Sequence, residues 1–190
     1  MRVIAGEFKG RKLAAPKGKD LRPTASRVKE AIFSMIMPEL PGAVCLDLFA
    51  GTGALGIEAI SRGAARVYFC EPSAASLEAL FENLGACRID SRRAIVKKAD
   101  WRSGPSGLPE KCNLVFIDAP YEMCEYYSQI LEALAGYGIL AEGALLIIER
   151  NAKSGAYGLP AGFEKEREKR YGGIGVDLLT YAGTGGRNDL

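Results

Sequence analysis

Chemistry-capable residues gather at two places in this chain. The first is the run Asp118, Ala119, Pro120 and Tyr121, directly after the apolar stretch at residues 114–117. It sets a hydrogen-bond acceptor, a proline-stiffened turn and a stacking surface at the end of a buried-looking strand. A surface turn would need only the proline. The second is LDLFAGTGALG at residues 46–56. Here Gly51, Gly53 and Gly56 form G-x-G-x-x-G, and Glu71 lies twenty residues after Gly51.

Taken mechanically, that glycine spacing is a dinucleotide fingerprint. Asp47 argues otherwise. It stands at the end of the strand that feeds the loop, where a pyrophosphate would sit against a helix N-terminus, and its carboxylate would repel the phosphates. A positively charged cofactor without phosphate suits the place, and S-adenosylmethionine carries an ammonium and a sulfonium. The expected cofactor positions are Asp47, Phe49, Gly51, Thr52, Gly53, Glu71, Asp100 and Trp101. Glycines let the backbone approach closely, Glu71 has two oxygens for the ribose hydroxyls, and Asp100 with Trp101 beside it could meet adenine. Asp100 reads equally well as a turn or cap residue.

These residues need a scaffold that brings strand ends together. After residue 40 the chain alternates strand-like and helix-like segments: strands at 43–50, 65–71, 93–100, 112–119 and 143–150, and helices at 54–62, 73–86 and 122–135. Ser73 is the expected cap of the second of these helices, whose apolar stripe is Leu77, Leu80, Phe81 and Leu84. The last part, EKEREKRYGGIGVDLLTYA, reads as two strands around Gly172 and Gly173. The fold class is therefore α/β, a sandwich around a mostly parallel sheet with an antiparallel C-terminal hairpin. Gly6 and Gly10 suggest a small N-terminal β-hairpin, and residues 24–37 an amphipathic helix with Val28, Ala31, Ile32 and Met35 on one face. One domain is expected over 1–181, with 1–40 as an extension and 182–190 as a disordered tail.

Composition narrows the chemistry. There is no histidine among the 190 residues, which removes Ser–His and Cys–His nucleophiles and the commonest metal ligand. Five cysteines without C-x-x-C spacing point to a reducing, cytoplasmic setting without disulfides or a metal knuckle. No apolar run would span a bilayer, and the basic N-terminus has no apolar core behind it to make a signal peptide. Nine Lys or Arg against three acids give the first thirty residues a charge of +6, so the remainder carries −4 to reach the net +2. That asymmetry suggests an anionic partner met by one face, or else a solvated arm. Arg2, Lys9, Arg11, Lys12, Arg22, Thr24 and Arg27 are the candidate contacts.

The motifs together resemble a known family. LDLFAGTG, Glu71 on the next strand and DAPY on the fourth are similar to Rossmann-like class I methyltransferases. DAPY resembles the (D/N/S)-P-P-(Y/F/W) element of enzymes that methylate amino groups of nucleobases, with Ala119 where the pattern has proline. MRVIAGEFKGRKLAAPKG, LRPTASRVKEAIF and LDLFAGTGALGIEAISRGA resemble the RsmD-like family over residues 1–181. The resemblance implies a seven-stranded sheet and S-adenosylmethionine as cofactor. It also implies methylation of guanine N2 in 16S ribosomal RNA or a small-subunit assembly particle. Such a transfer requires no metal, in agreement with the composition, and a monomer is expected. Asp118 and a backbone carbonyl near Ala119 and Pro120 would then hold the amine while Tyr121 stacks on the base. Other readings are an amino-methyltransferase for another RNA or DNA base and a non-catalytic RNA-binding module. An NAD-type oxidoreductase is disfavoured by Asp47. A chain of this length leaves no room for a DNA target-recognition domain.

Overall fold

The computed structural model describes residues 1–15 and 23–183, apart from the side chains at 23–25 and 121. Seven strands form one sheet: β1 (Val44–Asp47), β2 (Arg66–Cys70), β3 (Ala94–Lys97), β4 (Cys112–Ile117), β5 (Leu140–Asn151), β6 (Phe163–Tyr171) and β7 (Ile174–Tyr181). The spatial order is β3-β2-β1-β4-β5-β7-β6. β1 to β5 run parallel, and β7 lies antiparallel to both β5 and β6. After β1 the chain builds outward through β2 and β3, then returns to place β4 on the other side of β1. The order therefore reverses between β1 and β4, which is where α/β sheets bind ligands.

Helices cover both faces, so the inner strands are apolar on both sides. On one face lie α1 (Pro23–Met35), α2 (Ala54–Ser61) and α3 (Ala74–Ala86), whose Ile32, Phe33, Ile57, Ile60 and Leu80 pack on Cys45, Phe69, Phe116 and Ile147. On the other, α4 (Tyr127–Gly136) sets Tyr127, Ile130, Leu131 and Leu134 against Leu46, Val115, Ile117 and Ile148. Ser73 caps α3 as expected, its hydroxyl accepting from the Ser76 amide. The α1 face is as expected at Val28 and Ile32, but its buried set runs on through Phe33 and Ile36, while Ala31 and Met35 are half-buried.

Three expectations change. Phe81 is 48% exposed beside the edge strand β3, where no described element covers it; the Lys98 ammonium sits 5.9 Å from its ring centre. The expected helix at 122–135 begins as a 3₁₀ turn, Tyr121–Tyr126, and becomes α-helical at Tyr127; the Met123 amide reaches only the carbonyl of Pro120. The N-terminal hairpin is reduced to one antiparallel bridge, Arg2 with Lys12. Its ladder stops because the Ile4 and Ala5 amides donate to the carboxylate of Glu58 in α2, at 2.8 and 3.0 Å.

Glu58 is fully buried and also pairs with Lys29 at 3.0 Å and Arg62 at 2.8 Å. Val3 and Leu13 enter the same core as α1, so the basic N-terminal segment is fastened to the body at one end of its loop. Most of the expected tail, from residue 184 on, lies outside the described residues, as do Arg22 and the Thr24 side chain. No helix among the described residues is long and apolar enough to cross a membrane.

Candidate active site

The turn from β1 into α2 is shaped by its glycines. Gly53 takes φ +78° as the cap residue of α2, in the left-handed region that favours glycine. A Cβ there would lie 2.3 Å from Leu80, and one on Gly56 would lie 2.2 Å from the Phe69 ring. These two glycines serve close packing of loop and helix on the sheet. Gly51, at φ +52°, would meet only the carbonyl of Phe49, at 4.0 Å, so its backbone is open to a ligand.

Two carboxylates hold this loop. Asp47 is 1% exposed and its Oδ2 accepts from the Gly56 amide at 2.9 Å, in the first turn of α2. That amide is thereby unavailable to a phosphate, the structural counterpart of the charge argument against a dinucleotide. Oδ1 of Asp47 has no hydrogen-bond partner. Burial, only partly offset by the Gly56 amide, pushes the Asp47 carboxyl up to about 7, with the fields of Asp118 and Glu71 adding to the rise. Glu71, at the end of β2, accepts from the Gly51 amide at 2.8 Å and from the Ser73 amide at 2.7 Å. Asn83 completes the frame. It donates to the carbonyls of Thr52 and Ala14 and accepts from the Ala14 amide, tying loop, α3 and N-terminal segment together. Phe49 is half-buried against the second core.

Asp118 follows β4 directly. Solvent reaches it, yet the protein packed around its other sides pushes its pKa upward. No hydrogen bond reaches its side chain from the described residues, and Ala119 behind it is buried. The Tyr121 side chain lies outside the described residues. The structure thus gathers Asp47, Gly51, Glu71 and Asp118 around the switch point between β1 and β4.

Asp100 and Trp101 follow β3, with Asp100 close to Cys70, the last residue of β2 before Glu71. Asp100 is spent in its own turn, accepting from the Arg102 amide and the Ser103 hydroxyl and pairing with the Arg102 guanidinium at 3.2 Å. These bonds fit the alternative reading as a turn residue, and they leave the Asp100 side chain half-exposed. Trp101 is 6% exposed, packed on Tyr126 and covered by the Arg102 guanidinium at 4.4 Å, so it offers no free face to adenine.

Arg2, Lys9, Arg11, Lys12 and Arg27 are all exposed. Residues 7–12 line a surface cavity of about 360 Å³. Among the described residues no group of three or more His, Cys, Asp or Glu is arranged to hold a metal ion. Sequence reasoning missed Glu58, Asn83 and Glu149. The first two carried a faint signal, a polar residue inside an apolar helical stripe.

Comparison with known proteins agrees with this geometry. A ribosomal RNA small subunit methyltransferase D from Escherichia coli is 35% identical over 178 residues, 94% of this chain and 88% of that one. The protein of the same name from Haemophilus influenzae is 36% identical over 152 residues, 78% of each chain. The solved structure of yhhF from Escherichia coli superposes with a TM-score of 0.84 at 32% identity, covering 95% of this chain and 97% of that one. The family described as Conserved hypothetical protein 95 matches residues 1–180, and this chain belongs to it, as an RsmD-like class I methyltransferase.

Proposed function

We propose that this protein transfers a methyl group from S-adenosylmethionine to the exocyclic N2 of a guanine in small-subunit (16S) ribosomal RNA. The carrying observation is Asp118, an acceptor with no partner among the described residues, beside the glycine loop at the switch point. The orphaned Oδ1 of Asp47 and the open backbone at Gly51 fit the cofactor's ammonium and its close approach. When bound, S-adenosylmethionine supplies the methyl electrophile: the N2 lone pair forms the new N–C bond as the C–S bond breaks, its electrons staying on sulfur.

This chain's residues do the rest. Asp47, ionised beside the ammonium, fixes the cofactor's amino-acid end. Glu71 keeps lone pairs free for ribose hydroxyls while it holds the loop. An exocyclic amine is a weak nucleophile because its lone pair is delocalised into the ring. Asp118 and a backbone carbonyl near Ala119 and Pro120 accept its two N–H groups and favour a more tetrahedral nitrogen. Asp118 then takes the proton that the methylated amine sheds, a role its raised pKa suits. Tyr121 stacks on the base, which must leave its helix. The exposed cations at Arg2, Lys9, Arg11, Lys12 and Arg27 meet the RNA phosphates. Positioning supplies the catalysis without a metal, in a monomer working in the cytoplasm.

The test is to incubate purified protein with methyl-labelled cofactor and small-subunit particles from a strain lacking it, then digest the RNA for mass spectrometry. N2-methylguanosine is the expected product. Label on another base, or none, overturns the reading.

A further inference from the structure

A second carboxylate stands beside Asp118. β4 and β5 are parallel, with Phe116 opposite Ile147 and Ile117 opposite Ile148, so the next pair in register is Asp118 and Glu149. Adjacent strands lie ~4.8 Å apart, and alternation puts residues 116, 118, 147 and 149 on one face. It is the face of Cys45 and Asp47, since Phe116 and Ile147 belong to the same core as Cys45. On its other side Glu149 faces Val176 of β7, which is buried and apolar.

The main chain of Glu149 is held firmly. The Tyr127 hydroxyl donates to its carbonyl at 3.1 Å. The next residue, Arg150, is locked to buried Asp177 by two hydrogen bonds, and Tyr157 and Lys165 also bind that carboxylate. Yet the Glu149 carboxyl is half-buried and has no hydrogen bond to any described residue. Burial and the field of Asp118 push its pKa upward. An ordered but unsatisfied acid costs stability, which is reason to look for a ligand that satisfies it. On the same face, Oδ1 of Asp47 is also without a partner.

We propose that Glu149 accepts the N1–H of the target guanine and so selects guanine over bases that present a bare acceptor there. This rests on the guanine-N2 reading above. The guanine edge carries three donors in a row, two N–H on N2 and one on N1. Asp118, the turn carbonyl and Glu149 are three acceptors for them. Above about pH 8, where Glu149 is ionised, a base with a lone pair at N1 would face a carboxylate and be repelled.

2-Aminopurine keeps the exocyclic amine but lacks both N1–H and O6, so the contact is isolated by how Glu149→Gln changes the preference between the two bases. The guanine that the wild type methylates is mapped first. Particles are then reconstituted with 16S RNA bearing guanosine or 2-aminopurine at that position, and kcat/KM is measured above about pH 8, where Glu149 is ionised, for wild type and Glu149→Gln. The wild type should prefer guanosine by about 10–100-fold. The amide of Glu149→Gln can donate to a bare N1, so the preference should fall by about tenfold or more. Cofactor affinity and thermal stability should be unchanged or raised, because the change removes an unpaired acid. An unaltered preference in Glu149→Gln overturns the proposal. So does a tenfold loss of cofactor affinity, which would put Glu149 in the cofactor pocket. A wild type that methylates no guanine overturns the underlying function instead.

Discussion

The two sides of the site use the same side-chain chemistry in opposite ways. On the cofactor side, Asp47 and Glu71 are largely consumed: three backbone amides, of Gly56, Gly51 and Ser73, end on them. On the acceptor side, Asp118 and Glu149 carry no hydrogen bond from any described residue. The first pair builds the pocket and binds with what is left over. The second pair is held in place by its strands and kept free for substrate. A carboxylate that staples backbone should fail by unfolding its surroundings, whereas a free one should fail only in function.

The sharpest break is therefore Asp118→Ala. It orphans no amide, so thermal stability should hold or rise, while single-turnover methyl transfer at saturating RNA and cofactor falls about 100-fold or more. Transfer at the wild-type rate would mean that DAPY is only a turn. Glu71→Ala should do the reverse. It leaves the Gly51 and Ser73 amides without their acceptor, so both folding stability and cofactor affinity should drop by about 1–3 kcal/mol, read by thermal denaturation and calorimetry. Loss of affinity with an unchanged melting temperature would remove the stapling role.

The pH dependence tests the leftover oxygen of Asp47. Its carboxyl is raised from 3.8 to about 7 in the folded protein. Between those values the folded protein holds a proton that the unfolded chain has released, so ligand-free stability should fall as pH rises through that window. The cofactor's ammonium needs the ionised form, so its affinity should tighten by about tenfold from one unit below that pKa to one unit above it. A flat titration would take Asp47 out of cofactor binding. The smallest effect concerns the basic loop. Reversing Arg11 and Lys12 together should weaken RNA binding and lower the magnitude of its salt slope by about 1–2, with cofactor affinity unchanged. A constant slope would make the loop a solvated arm.

Much of this was legible in the chain because the signals are local. The alternation of apolar runs with capped, amphipathic segments fixes element type, since burial on both faces demands continuous apolar strands and one-sided helices. G-x-G-x-x-G after a strand, an acid at the end of the next strand and DAPY mark the site in the same way, through residues whose neighbours in sequence are their neighbours in space. What stayed hidden depends on long-range pairing. Trp101 was buried by Tyr126 from a distant turn. The hairpin lost its ladder to Glu58, more than fifty residues away. Glu149 looked like the polar end of an apolar strand. Only the register of β4 on β5 set it beside Asp118, because a sheet decides which residues share a face and an edge, and no local pattern records which strand will lie next to which.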